Sequence, residues 1–182
     1  NWQEIIPHDP NVYLEYINPY RNHFVVGKKI NGLAHINIYD ENFQNPYEVS
    51  FPDATYEANA IFTDFYDDAV RISYSSLKTP TQIFSINFTD HKKSLLKQQE
   101  IPAGFDSEQY NIERIFAKSK DGASIPISLV YKKSAFKKDG SNPLYLYGYG
   151  SYGLGMPDSF RTSILPLVDR GFVFAIAHIR GG

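Results

Sequence analysis

The sequence predicts a mixed architecture: antiparallel β strands arranged as propeller blades over residues 1–103, then the opening of an α/β domain over residues 104–182. Three observations carry this. Short β-like runs bounded by turn residues recur every eight to twelve positions through the first half, the pattern of all-β folds. His35-Ile36-Asn37-Ile38-Tyr39-Asp40 is answered 50 positions later by Ser85-Ile86-Asn87-Phe88-Thr89-Asp90, and a period of that size holding four strands is that of propeller blades. Beyond residue 104 a strand, a helical pattern and a second strand follow one another, a unit that ordinarily crosses over right-handed into a parallel sheet.

The elements follow in order. A first group of four strands is expected at 12–17, 24–26, 33–39 and 47–51, and a second at 56–65, 70–74, 82–88 and 94–96, each rich in Val, Ile, Tyr and Phe. Blades bury their faces against neighbouring blades, so this half carries no obvious chemistry, and its bare edges would seek partners. Ile101-Pro102-Ala103-Gly104 punctuates the chain. Strands are then expected at 111–118, 125–132 and 144–149, with Asp121-Gly122 turning the first into the second. A helix is expected over 159–170: Ser159 suits an N-cap, Phe160, Ile164, Leu165 and Val168 share one face, and Gly171 stands past the end. The apolar run at 172–179 closes the strand-helix-strand unit.

Composition excludes several function classes. With 182 residues, 42% hydrophobic and 15% aromatic, the chain has material for the cores of one or two domains. A net charge of -2 and the lack of any Lys/Arg cluster give no electrostatic footprint for nucleic acid. There is no cysteine, so disulfides and thiolate metal sites are excluded and a cytoplasmic location is compatible. The longest apolar run, 172–177, is far too short to cross a bilayer and no signal sequence opens the chain, so no membrane association is expected. His8, His23, His35 and His91 have no second ligand at metal spacing, and neither metal nor cofactor is expected. His178 ends the apolar run where ligand-facing residues lie in open α/β sheets, though a structural role suits it better.

The stretch 143–153, Pro-Leu-Tyr-Leu-Tyr-Gly-Tyr-Gly-Ser-Tyr-Gly, carries the chemistry that can be read. An alternating apolar strand runs into Gly148, Gly150 and Gly153, which permit positive φ and close backbone approach, while Tyr147, Tyr149 and Tyr152 keep polar tips in the same loop. Four readings compete. The string 148–153 matches a dinucleotide fingerprint, but that motif needs a helix opening on the loop and an acidic residue about 20 positions on, where this chain has His178-Ile179-Arg180. Tyr149-Gly150-Ser151-Tyr152-Gly153 resembles a nucleophile elbow, but Tyr149 stands where a small residue is required, so Ser151 is not expected to attack. The remaining two stay open on the residues alone: an oxyanion-hole loop in which the Tyr149 hydroxyl donates to a developing charge, and a strand end whose tyrosines only pack.

Residues 142–153, Asn-Pro-Leu-Tyr-Leu-Tyr-Gly-Tyr-Gly-Ser-Tyr-Gly, and 167–182, Leu-Val-Asp-Arg-Gly-Phe-Val-Phe-Ala-Ile-Ala-His-Ile-Arg-Gly-Gly, together resemble the oligopeptidase B (protease II) branch of the prolyl oligopeptidase family of serine peptidases. The likeness extends upstream through 95–100, 104–106, Glu113-Arg114 and 126–131, and so covers most of the chain. It implies a β-propeller followed by an α/β-hydrolase domain with a Ser-Asp-His triad, and short peptide substrates cut after Arg or Lys. It also implies roles: Tyr149 as the oxyanion-hole residue, Tyr152 beside the primary specificity pocket, and 177–182 as a structural loop. No Gly-x-Ser-x-Gly occurs in the sequence. The chain is therefore expected to be an internal fragment, inactive alone and partnered by the remainder of the catalytic domain. Two acidic residues that favour paired basic substrates in bacterial members fall on Pro157 and Ser159, which leaves Asp158 as either a substrate contact or a helix cap. Outside the family, a non-catalytic propeller-like binding module and a dinucleotide-binding domain are the alternatives.

Overall fold

Strands begin where β-branched and aromatic residues replace the turn formers of 7–11, and they continue through most of the chain. The computed structural model describes residues 4–182, so the first three residues of the expected propeller segment lie outside it. Strands β1 (Val12–Pro19), β2 (His23–Ile30), β3 (Leu33–Asp40) and β4 (Tyr47–Glu48) form one antiparallel sheet in sequence order, and β5 (Glu57–Ile61), β6 (Ala69–Ser75), β7 (Gln82–Asn87) and β8 (Lys93–Gln98) form a second. Both groups of four stand where the sequence places them. Asn31 and Gly32, at φ 52° and 76°, turn β2 into β3; positive φ at both central residues matches the twist of the flanking strands.

Alternation sets the burial: Val70, Ile72 and Tyr74 of β6 face inward and are fully buried, as are Val25, Ile36 and Ile86. Opposite Tyr16 in the β1–β2 ladder stands Gly27. A Cβ there would fall 2.2 Å from the Tyr16 ring, so the glycine makes room for the ring. The Tyr16 hydroxyl then accepts a hydrogen bond from the Ala60 N–H at 2.8 Å, tying β1 to β5.

The chain divides into two compact units. The first runs to Pro52 and adds Ala58–Tyr74 and Gln82–Gln98; the second takes Asp53–Glu57, Ser75–Thr81 and Gln99–Gly182. In the second, β9 (Tyr110–Lys118) and β10 (Ser124–Lys132) form a hairpin through Asp121-Gly122. Then come β11 (Leu144–Gly148), the short pair β12 (Gly150–Ser151) and β13 (Leu154–Gly155), helix α1 (Leu165–Asp169) and β14 (Val173–Ala177). The main sheet has the order β11-β14-β10-β9. Its pairs are antiparallel except β11 with β14, which is parallel. Leu77, Tyr110, Ile112, Val130, Ile164, Val168, Phe174 and Ile176 make its core.

The helix expected over 159–170 is much shorter. Arg161 is extended at φ -141°, a 3₁₀ turn covers Thr162–Ile164, and only Leu165–Asp169 is α-helical. The Phe160 N–H donates to Ser75 Oγ at 3.0 Å, which holds the start of the expected helix extended. Pro166, lacking an N–H, fits the first turn of the shorter one. Ser159 caps nothing, yet Phe160, Ile164 and Val168 are buried as their spacing requires. The last strand also stops two residues early, at Ala177: the His178 N–H still bonds the carbonyl of Pro126 in register, but Pro126 has no N–H with which to return the bond.

Candidate functional site

The glycine loop is a small hairpin standing on the end of β14. Gly148 still pairs with Ala177, after which Ser151 pairs with Leu154 across a turn made by Tyr152 and Gly153 at φ 57° and 73°. Backbone lies on backbone here: a Cβ on Gly150 would fall 2.7 Å from the carbonyl oxygen of Arg180 and 2.8 Å from that of Ile179. One on Gly181 would fall 2.6 Å from the Gly150 oxygen, and the Gly153 N–H donates to Gly181 at 2.9 Å. Only glycine permits that approach. The hairpin lifts Tyr149, 43% exposed, and Tyr152, 92% exposed, out of the sheet. For a bulky residue the left-handed region is costly, and such strain gathers where side chains serve a ligand.

This geometry disposes of two readings of the loop. Ser151 lies within a strand pair, without the strand-to-helix turn that a nucleophile elbow needs. The residues after Gly153 form β13, where a dinucleotide site requires a helix N-terminus.

Asp158 is elsewhere than expected. It neither faces solvent as a substrate contact nor caps a helix; it is 3% exposed at the centre of a buried polar cluster in the second unit. The β-sheet register builds that cluster. In β10, Ser128 stands opposite Arg114 of β9 and Ile176 of β14, so Arg114, Ser128 and, two residues past Ile176, His178 share one face. Asp158 Oδ2 accepts from Ser128 Oγ at 2.8 Å and from Thr55 Oγ1, while Arg114 Nη1 donates to Thr55 Oγ1 at 3.2 Å and lies 3.9 Å from Asp158. Ser128 Oγ is also 2.8 Å from His178 Nε2, which lies 3.3 Å from Asp158 Oδ1. Burial draws the guanidinium pKa of Arg114 downward, and the charge of Asp158 opposes that shift.

A serine, a histidine and an aspartate thus meet, but not as a triad. Ser128 Oγ has one proton to share among Thr55 Oγ1, Asp158 Oδ2 and His178 Nε2, and the carboxylate bonds the serine directly where a triad aspartate would orient the far nitrogen of the ring. Both partners also use the same ring nitrogen, and Ser128 is 0% exposed. The cluster is structural. Sequence reading missed Thr55, Ser128 and Arg114 as its members; the one signal was a serine on the core-facing side of an otherwise apolar strand.

Comparison with known proteins supplies the context. A family model described as the prolyl oligopeptidase N-terminal beta-propeller domain matches residues 1–99. The chain is 33% identical over its whole length to the dipeptidyl aminopeptidase BI of Pseudoxanthomonas mexicana, of which it covers 25%. It is 31% identical over 98% of its length to the protease 2 of Moraxella lacunata, covering 26% of that protein. Among solved structures, oligopeptidase B from Leishmania major superposes with a TM-score of 0.88 at 34% identity over 98% of this chain and 26% of that one. The chain thus spans about a quarter of the length of the relatives it matches. Propeller-type sheets, the match over residues 1–99 and relatives that are peptidases place it: the chain belongs to the prolyl oligopeptidase family of serine peptidases.

Proposed function

We propose that this chain is the part of a serine oligopeptidase that supplies two propeller blades, the opening of the α/β-hydrolase domain and the oxyanion-hole loop, in an enzyme hydrolysing short peptides after Arg or Lys. In this reading the parallel pair of β11 and β14, linked through α1, begins the hydrolase sheet. Tyr149 donates its hydroxyl to the oxyanion of the tetrahedral intermediate, and Tyr152 borders the pocket for the basic side chain. The serine nucleophile, its histidine base and the aspartate come from polypeptide other than these residues, since no Gly-x-Ser-x-Gly occurs among them.

The observation that carries the proposal is the glycine hairpin, which rests its backbone on the carbonyls of Ile179, Arg180 and Gly181 and leaves the Tyr149 side chain exposed at the surface. A donor held before the reaction needs no reorganisation when charge develops, which is why such donors act mainly on kcat. In the full-length peptidase, Tyr149→Phe should lower kcat on an arginyl amide by about 10²- to 10³-fold with little change in KM. An unchanged kcat would make Tyr149 a packing residue. A panel of arginyl, lysyl and prolyl substrates tests the specificity, and cleavage after proline alone would refute it.

A further inference from the structure

The buried cluster and the glycine hairpin touch the same few residues, and the chemistry of one bears on the other. The hairpin leaves β11 at Gly148, in register with Ala177, and returns to the core at Asp158. Its floor is the backbone of Ile179 and Arg180, next in sequence to His178. We propose that His178 and Asp158 are positioning residues for Tyr149: joined through Ser128, they hold the floor beneath Gly150 and the returning arm of the hairpin as one piece. This rests on the oxyanion reading of Tyr149.

The argument is one of constraint. The outgoing arm is fixed by the β11–β14 ladder, and the tip by the Gly153 N–H on the Gly181 carbonyl. The strand ladder ends at Ala177, so the carbonyls on which Gly150 rests lie outside it; their start is held at His178 by its N–H on the Pro126 carbonyl and by its side chain. At 2.8 Å from Ser128 Oγ, His178 Nε2 is tied to the middle strand of the sheet, and Ser128 passes the tie to Asp158. Thr55 and Arg114 keep the carboxylate from swinging away. Asp158 Oδ2 gathers the hydroxyl hydrogen bonds, while Oδ1 accepts none and lies 3.3 Å from His178 Nε2; hydrogen bonds converging on one buried carboxylate favour a single arrangement. A shift of about 1 Å in a reacting group is enough to cost about 10²-fold in rate. Loss of the His178 tie should therefore be felt at Tyr149, though His178 itself touches no substrate.

The test uses the full-length peptidase and four variants: His178→Ala, His178→Gln, Tyr149→Phe and the double His178→Ala/Tyr149→Phe. Expected for His178→Ala is a fall in kcat of about 10- to 10²-fold, an unmoved KM, and faster amide hydrogen exchange at residues 150–155 with β9–β10 protection unchanged. Glutamine places an N–H donor near the position of Nε2 and should restore most of both signals. Because His178 is proposed to act through Tyr149, the double variant should be little slower than Tyr149→Phe alone. Losses that multiply in the double variant, or hairpin exchange equal to that of the parent, overturn the proposal. If His178→Ala does not fold, Ser128→Ala takes its place with the same expected and refuting results. A Tyr149→Phe enzyme of full activity would instead remove the oxyanion reading, while the exchange data still report whether the clamp holds the hairpin.

Discussion

At the scale of single residues, Gly150 and Asp158 show how little freedom the second unit has. A methyl group on Gly150 meets two backbone carbonyl oxygens that no rotamer change can move. Gly150→Ala should therefore destabilise this unit by about 1–3 kcal/mol, and the displaced hairpin should lower kcat as well. Gly153→Ala, with open space around its Cβ, should cost only the strain of its positive φ, about 1–2 kcal/mol. Equal effects of the two on kcat would contradict the packing argument. Asp158→Ala removes the acceptor of the buried Ser128 and Thr55 hydroxyls and should cost about 1–3 kcal/mol of stability. The ratio of paired-basic to single-basic cleavage should stay where it was, since the carboxylate faces the core. Denaturant melts and a two-substrate comparison check both halves, and a changed ratio in a fully stable variant would return Asp158 to the substrate. The close approach at Gly150 and the positive φ at Gly153 were legible in the glycine spacing; the Asp158 cluster was not, because Thr55 is more than a hundred positions from Asp158 and their meeting depends on strand register.

Elements were far more legible, for a physical reason. A strand's period of two, with turn formers at its ends, is a local property, so both groups of four and the β9–β10 hairpin stand where the pattern predicts. The helix was shortened by a distant partner, Ser75, whose hydroxyl satisfies the Phe160 N–H and holds that residue extended. In the first unit, His23 opens β2 stacked on Phe88 at 4.7 Å, and burial pulls its imidazole pKa below the ordinary value, with Asp40 opposing. Folding then favours the neutral ring. The stability this contributes is full above the unfolded value of about 6.5 and is lost as pH falls through the lower folded value. The His23 ring protons should titrate by NMR with a midpoint below about 6.5. His23→Phe, which keeps the stack, should lessen the acid loss of stability in this unit, and an identical loss would refute the assignment.

For the molecule as a whole, the exposed apolar surface decides how the isolated polypeptide behaves. β11 is an edge strand of its sheet, and Leu144, Tyr145, Leu146 and Tyr147 along it are all exposed. An edge that offers unpaired N–H and C=O groups together with large apolar side chains is a template for another strand. In the oligopeptidase reading that place is taken by further strands of the hydrolase sheet; in the isolated 182-residue polypeptide a second copy is available instead. The polypeptide should therefore associate at micromolar concentration, seen as concentration-dependent species in sedimentation velocity. Replacing Leu144 and Leu146 by lysine should shift it toward monomer, because charge on an edge disfavours pairing. The same polypeptide should neither hydrolyse arginyl substrates nor react with a serine-directed phosphonate, since Ser151 lacks an elbow and Ser128 is buried without a base. A monodisperse monomer before the lysine substitutions, or stoichiometric labelling at Ser151, would show that the edge or the hairpin behaves otherwise than its geometry requires.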